Sequence, residues 1–303
     1  MTATGEDIDD IMAGPIHVGR AGLTITWLAI WSGFKLALQT NAGRIGLPIV
    51  LLHFILAIFG PWLAPYSPTE INVQDQLAAP SFQHWLGTDN YGRDILSRVM
   101  SGAGSVITVS IAGSLMGIGL GTAIGMSSGY KGGRADEVVM RVMDGLMSFP
   151  SLLLALLVLT TLGASHLNIV LTIGVVFMPP VARVLRSSTL SLKELEFVQS
   201  ARLRGESDWY IVFRELLPNT IPVLAVEVSV RLSYAVLLVS SLGFLGLGVQ
   251  PPSPDWGRMI SESRRFIVAA PWVALVPAAA VASLIVGVNL LADGIRQARG
   301  LPQ

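Results

Sequence analysis

The chain has 303 residues, 52% of them apolar and 13% charged, with a mean hydropathy of +0.62. That charged fraction is about half of the ~25% usual for soluble domains, which points to an integral membrane protein. The formal net charge of zero gives nucleic-acid binding no electrostatic support, and the absence of cysteine excludes disulfide frameworks and thiolate chemistry.

Residues 1–44 do not read as a signal peptide. Glu6, Asp7, Asp9 and Asp10 stand where a basic region is required. The apolar stretch 23–38 is broken by Thr24, Thr26, Ser32 and Lys35, and Trp27, Trp31, Phe34 and Leu38 share one helical face. The expectation is an interfacial helix on the inner leaflet. The rival is a seventh span, which would invert every later loop.

Six apolar runs then approach the ~20 residues of helix that a bilayer core of ~30 Å requires: 45–63, 106–126, 146–162, 167–182, 224–247 and 273–291. Backbone groups in lipid must be satisfied within the segment, so helices are expected. With a cytoplasmic N-terminus, fourteen Lys and Arg residues fall inside and five outside, with Arg231 within a span. The asymmetry places both termini, 1–44 and 294–303, in the cytoplasm. It leaves 64–104 outside and 105–293 as the transmembrane core.

Within the second run, Gly113, Gly117, Gly121, Gly125 and Gly129 recur at every fourth position. Such a stripe admits another helix at close range. It serves either ordinary packing within the bundle or a helix that slides during transport. Asp144 precedes Phe149-Pro150 at the start of the third run, and Met178-Pro179-Pro180 interrupts the fourth. Both read as kinks that shape packing, or as breaks that give a pathway backbone freedom. In the fifth run Glu227 and Arg231 stand at i, i+4, an ion-pair spacing. They are either a neutralised structural pair or polar groups lining a substrate path. In the outer segment, Thr88-Asp89 is expected to cap a short helix.

The stretch 186–219 is different. It holds ten of the chain's 40 charged residues in 34 positions, between two apolar runs. It must face water, and its pattern suggests docking. A helix over about 195–204 would present Phe197, Ala201 and nearby residues on one face, with Gly205 turning the chain where a side chain would obstruct it. Arg202 and Arg204 would meet acidic groups on a partner, and Pro218 would mark entry into the fifth span. No phosphate-binding G-x-x-x-x-G-K-[ST] occurs in the chain, nor a credible nucleophile–base set. Non-enzymatic function is expected.

Phe197-Val-Gln-Ser-Ala201-Arg-Leu-Arg-Gly205, followed by Leu217-Pro218-Asn219, resembles the cytoplasmic EAA loop of permease subunits in binding-protein-dependent ABC importers. Leu86-Gly-Thr-Asp89 through Gly92-Arg93-Asp94, Asp144 through Phe149-Pro150-Ser151-Leu152, and Phe244-Leu-Gly-Leu-Gly248 are similar to the C-type subunit of the dipeptide/oligopeptide/nickel group. The resemblance runs from about Trp27 to the C-terminus. It implies an all-α integral membrane protein of the type I importer permease fold, with six transmembrane helices, the N-terminal interfacial helix and a cytoplasmic coupling helix. It also implies an inner-membrane location. The expected partners are a second homologous permease, two ATP-binding subunits, an extracytoplasmic solute-binding protein and membrane lipid. ATP and Mg would be bound by those ATPases, with no cofactor in this chain. Phe197, Ser200, Ala201, Arg202, Arg204, Gly205, Pro218 and Asn219 are the implied ATPase-coupling residues. Short peptides lead as cargo, with nickel complexes, glutathione, opines and sugars open. An ion-gradient-driven secondary transporter is the alternative, supported only by Glu227.

Several positions depart from the family pattern. Ser200 replaces an alanine, Arg204 a common leucine and Glu215 a common histidine. Val239 stands where glutamate is frequent, and Gly243 where serine is.

Overall fold

The computed structural model describes residues 38–298. The expected interfacial helix at 23–38 therefore lies almost wholly outside the described residues. So do most of segment 1–44 and the last five residues of the tail 294–303.

Helix α1, Asn41–Leu63, starts at Thr40, whose hydroxyl accepts from the Gly43 amide at 3.2 Å. Helix α2, Ile95–Lys131, is 37 residues long, about 55 Å at 1.5 Å per residue. That exceeds any hydrocarbon core, so α2 begins eleven residues before the apolar run at 106–126 and projects beyond the membrane. Its cap is Asp94, which accepts from Ser97 N at 2.8 Å. Thr88 and Asp89 are not the cap. The Thr88 hydroxyl accepts from Ala78 N, and Asp89 receives Tyr91 N, Arg93 N, Arg93 Nε and Arg98 Nη1 at 2.6–3.0 Å. Those bonds tie the 64–94 segment onto the first turns of α2.

The third apolar run is not one straight span. Helix α3, Gly133–Met147, and helix α4, Ser151–Leu162, meet at 88°. Pro150 supplies no amide hydrogen and steers Phe149 away from helical geometry, so the chain turns there. At 12 residues, or about 18 Å, α4 is too short to cross alone.

Helix α5, His166–Leu192, carries Pro179 and Pro180 within it. After a short helix, α6 (Glu196–Leu203), come α7 (Ile221–Phe244), α8 (Trp256–Ser263) and α9 (Trp272–Ala298). Among the described residues five helices, α1, α2, α5, α7 and α9, are long and apolar enough to cross a membrane; counting the bent pair as one crossing makes six.

Contacts give the directions. The α2 and α5 registers rise together, with Gly113 against Ile173 and Gly129 against Arg186, so the two helices are parallel. α1 and α9 are antiparallel: Gly46 meets Gly287 and Leu291, and His53 reaches Ala280 O at 3.2 Å. α7 runs against α2: Ser114 on α2 lies near Arg231, and beyond the end of α7 the chain reaches the start of α2, where Trp256 of α8 meets Val99. Residues 40, 131, 186–219 and 298 therefore share one end, the loop end. Segments 64–94 and 250–271 form the other, the cap end.

One apolar cluster fills the middle of the bundle, with Ile95, Val106, Leu159, Ile173 and Leu242 fully buried in it. At the cap end Trp256 is fully buried and donates its indole N–H to Val99 O at 3.0 Å. Asp255 caps α8 through Arg258 N and is itself buried, which pushes its carboxyl above the ordinary range. It lies against Gly243, where a β-carbon would collide with that carboxylate. The glycine in place of serine at 243 thus makes room for Asp255. Val239 is fully packed in the central cluster, where an ionised glutamate would have no partner among these residues.

Candidate functional site

The charged stretch folds as a docked hairpin of helices. Leu195 is extended, α6 follows, and Glu196 in its first turn and Arg202 in its last both suit the helix dipole. α6 ends by two bonds, Gly205 N to Ala-Arg-Leu's Arg202 O at 2.9 Å and Glu206 N to Ala201 O at 3.2 Å. That is a Schellman closure, which requires a left-handed residue, and Gly205 has φ of 76°. A β-carbon there would meet nothing within 4 Å. Glycine is needed for its backbone angle, and the expected steric obstruction is absent within this chain.

The face of α6 is also not quite the one expected. Val198 and Ala201 are fully buried inside the chain's own second cluster, against Val181, Leu185, Ile211, Val212 and Leu216. Phe197 is half-buried beside them. The outward side carries Gln199, Ser200 and Leu203, the last 89% exposed. Small residues therefore seat α6 on its own bundle, while an apolar leucine and polar neighbours face outward.

Both arginines already have partners in the chain. Arg202 lies over the Tyr130 ring at 5.1 Å and donates to its hydroxyl at 3.3 Å. Arg204 pairs with Glu215 at 3.2 Å and approaches Glu206 at 3.7 Å. Two of the departures from the family pattern, Arg204 and Glu215, are thus the two halves of one ion pair. Pro218 and Asn219 lie on a near-continuous helical path from Asp208 into α7, which includes a π-helical turn at Ile211–Leu216. The Asn219 side-chain amide donates to Glu215 O at 2.7 Å.

Polar bonds that the sequence pattern did not signal tie this module to the spans. Arg186 binds Asp136 through Nε at 2.7 Å and Nη2 at 2.6 Å, and Ser128 donates to the same carboxylate at 2.6 Å. Lys193 caps the end of α2 by donating to Gly129 O at 3.1 Å. Arg183 pairs with Asp144. The only prior hint was charge of opposite sign on segments of unknown proximity.

All five ladder glycines face α5. A β-carbon would lie 2.7 Å from Ile173 at Gly113, from Phe177 at Gly117 and from Met178 O at Gly121. At Gly125 it would fall onto the Ala182 carbonyl, and at Gly129 it would lie 3.1 Å from Arg186 O. The stripe is packing within this chain's own bundle.

Across α5 from that seam lies a cavity of about 490 Å³ between α4, α5 and α7. Phe149, Phe177, Pro179, Pro180, Arg231 and Tyr234 are among its walls. The two proline-broken segments and Arg231 therefore converge on one space. Glu227 is buried behind the wall and holds Arg231 Nε at 2.9 Å.

Comparison with known proteins agrees with this architecture. Residues 117–299 match the family described as binding-protein-dependent transport system inner membrane component. Residues 39–80 match the N-terminal TM domain of oligopeptide transport permease C. The chain is 39% identical over 273 residues to a glutathione transport system permease protein of Pectobacterium atrosepticum, covering 90% of each chain. It is 37% identical over 268 residues to a dipeptide transport system permease protein of Alkalihalophilus pseudofirmus, covering 88% of this chain and 87% of the relative. A glutathione transport system permease protein of Escherichia coli O6:K15:H31 is 39% identical over 90% of this chain. With a family match over more than half its length and relatives at this identity, the chain belongs to the permease subunits of binding-protein-dependent ABC importers, in the peptide and nickel group.

Proposed function

We propose that this permease forms half of a translocation pathway for short peptides or a related small solute such as glutathione. It would pair with a second homologous permease and work with two ATPase subunits and an extracytoplasmic binding protein. In this reading the loop end and both termini face the cytoplasm. ATP and Mg bind on the partner ATPases, and the outward side of α6 seats in a groove of one of them, with Phe197, Ser200, Ala201, Arg202, Arg204, Gly205, Pro218 and Asn219 forming or supporting that contact.

The observation that carries the proposal is the two-sided construction of α6. Its inner face, Val198 and Ala201, is packed onto α5 and the 208–219 segment, while Leu203 stands almost fully exposed at its tip. A push on α6 therefore reaches α5 through packed side chains, and α2 through the glycine seam. ATP binding would favour one packing of the bundle and hydrolysis the other.

Gly205→Asp tests the docking contact. The position is open within this chain, and aspartate tolerates left-handed geometry better than most residues. The expected result is normal membrane insertion with loss of ATPase co-purification and of uptake. Unchanged ATPase binding would refute the docking role.

A further inference from the structure

Arg231 is the one charged side chain among the residues that line the cavity beside α5. Its Nε is committed to Glu227 at 2.9 Å. Among the described residues, neither terminal guanidinium nitrogen has a hydrogen-bond partner. The group lies 5.8 Å from the centre of the Phe177 ring, and its side chain is 17% exposed. Around it the walls are mainly aromatic and aliphatic, with Ser151, Tyr234 and Ser241 the other polar side chains in the lining.

A guanidinium presents its donors as a planar fork. When Nε is held by one carboxylate, the two terminal nitrogens are left in the geometry that receives a second carboxylate through two parallel bonds. Glu227 fixes the orientation of the fork and offsets its charge. An anion would therefore be recognised at short range without being trapped, as transit requires. The rest of the wall, apolar apart from Ser151, Tyr234 and Ser241, carries no other charge to direct the remainder of the solute.

We propose that Arg231 is an anion-recognition residue of the cavity, whose terminal nitrogens take a carboxylate of the cargo during passage. The inference rests on the reading of this cavity as part of the pathway. It assigns the cargo a chemical class, small solutes bearing a free carboxylate, and leaves side-chain identity to the partner proteins.

The absence of cysteine makes a direct test clean. Tyr234→Cys sits three positions from Arg231 on α7, on the cavity wall. In the assembled transporter, its modification rates by the anionic sulfonatoethyl and the cationic trimethylammonioethyl methanethiosulfonates are compared on this chain. With Arg231 present the anionic reagent should be favoured, and Arg231→Gln should lower the anionic-to-cationic ratio about fivefold, as removing a nearby charge in a partly wet site would. Arg231→Lys should retain most of the ratio. Because Arg231→Gln leaves Glu227 unpaired, the double variant Glu227→Gln/Arg231→Gln gives a neutral second arm, and it too should lose the preference. If neither reagent reaches Tyr234→Cys, the cavity is not a wetted pathway and both readings fall. If both reagents react and the ratio ignores Arg231, the pathway stands and the anion site is overturned.

Discussion

The two sides of α5 are built on opposite principles. On one side the five glycines of α2 bring backbone against backbone, with Gly125 on Ala182 and Gly129 on Arg186. On the other, Pro179, Pro180 and Phe177 border a cavity of about 490 Å³ shared with α4 and α7. The first side has no room for a methyl group, and the second has room for a solute. In lipid no hydrophobic drive pushes helices together, so close packing must hold them, and the seam supplies it. The difference teaches which helices can separate. α2 and α5 should move as one body, while the α4–α5 and α5–α7 contacts can open.

The largest expected effect comes from breaking the seam. Gly125→Val places a branched side chain on the Ala182 backbone, which cannot yield as a flexible side chain could. It should cost about 3 kcal/mol, read as a lower melting temperature and poor recovery of the purified complex. Gly119 is the control on the same helix, since a β-carbon there meets nothing within 4 Å. Gly119→Ala should be neutral or gain up to about 1 kcal/mol. Equal damage from both would show that the seam does not govern this region, since both substitutions raise helix propensity.

Arg186→Gln should come next. It removes two bonds from the nearly buried Asp136 and loosens α3 from the loop end of the seam. Because Arg186 is itself about a third exposed, the expected loss is about 2 kcal/mol, below that for a fully buried pair. Melting should show it, and restoration by Asp136→Asn in the same chain would confirm that the unpaired carboxylate is the cause.

The smallest effect belongs to Arg204 and Glu215. Their pair is partly exposed and should contribute no more than about 1 kcal/mol of coupling in a double-mutant cycle with alanine. A much larger coupling would mean that this pair, more than the apolar packing of Val198 and Ala201, holds α6 in place.

Much of the bundle was legible in the sequence. Run length and hydropathy found the crossings because the bilayer sets a minimum length. Glycine spacing found the seam because a four-residue period marks one helical face. Charge density found the module containing α6. The structure altered specific readings. Asp94, and not Thr88-Asp89, caps α2. The third run is bent by 88° at Pro150. Ala201 looks inward, and within this chain Gly205 is required for its backbone angle, with no side chain to obstruct. Each depends on which side of a short element meets a neighbour, and hydropathy does not report that.

The sequence by itself determined the class of molecule, the apolar runs that become helices, the charged module between two of them and the family, because these follow from composition, period and motif along the chain. Only the tertiary structure decided that the glycines face α5, that Arg204 and Glu215 neutralise each other, that Gly243 yields its space to Asp255, and that Pro179, Phe149 and Arg231 border one cavity. Those are relations between residues far apart in the chain, and they exist only once helices have chosen neighbours and registers by close packing.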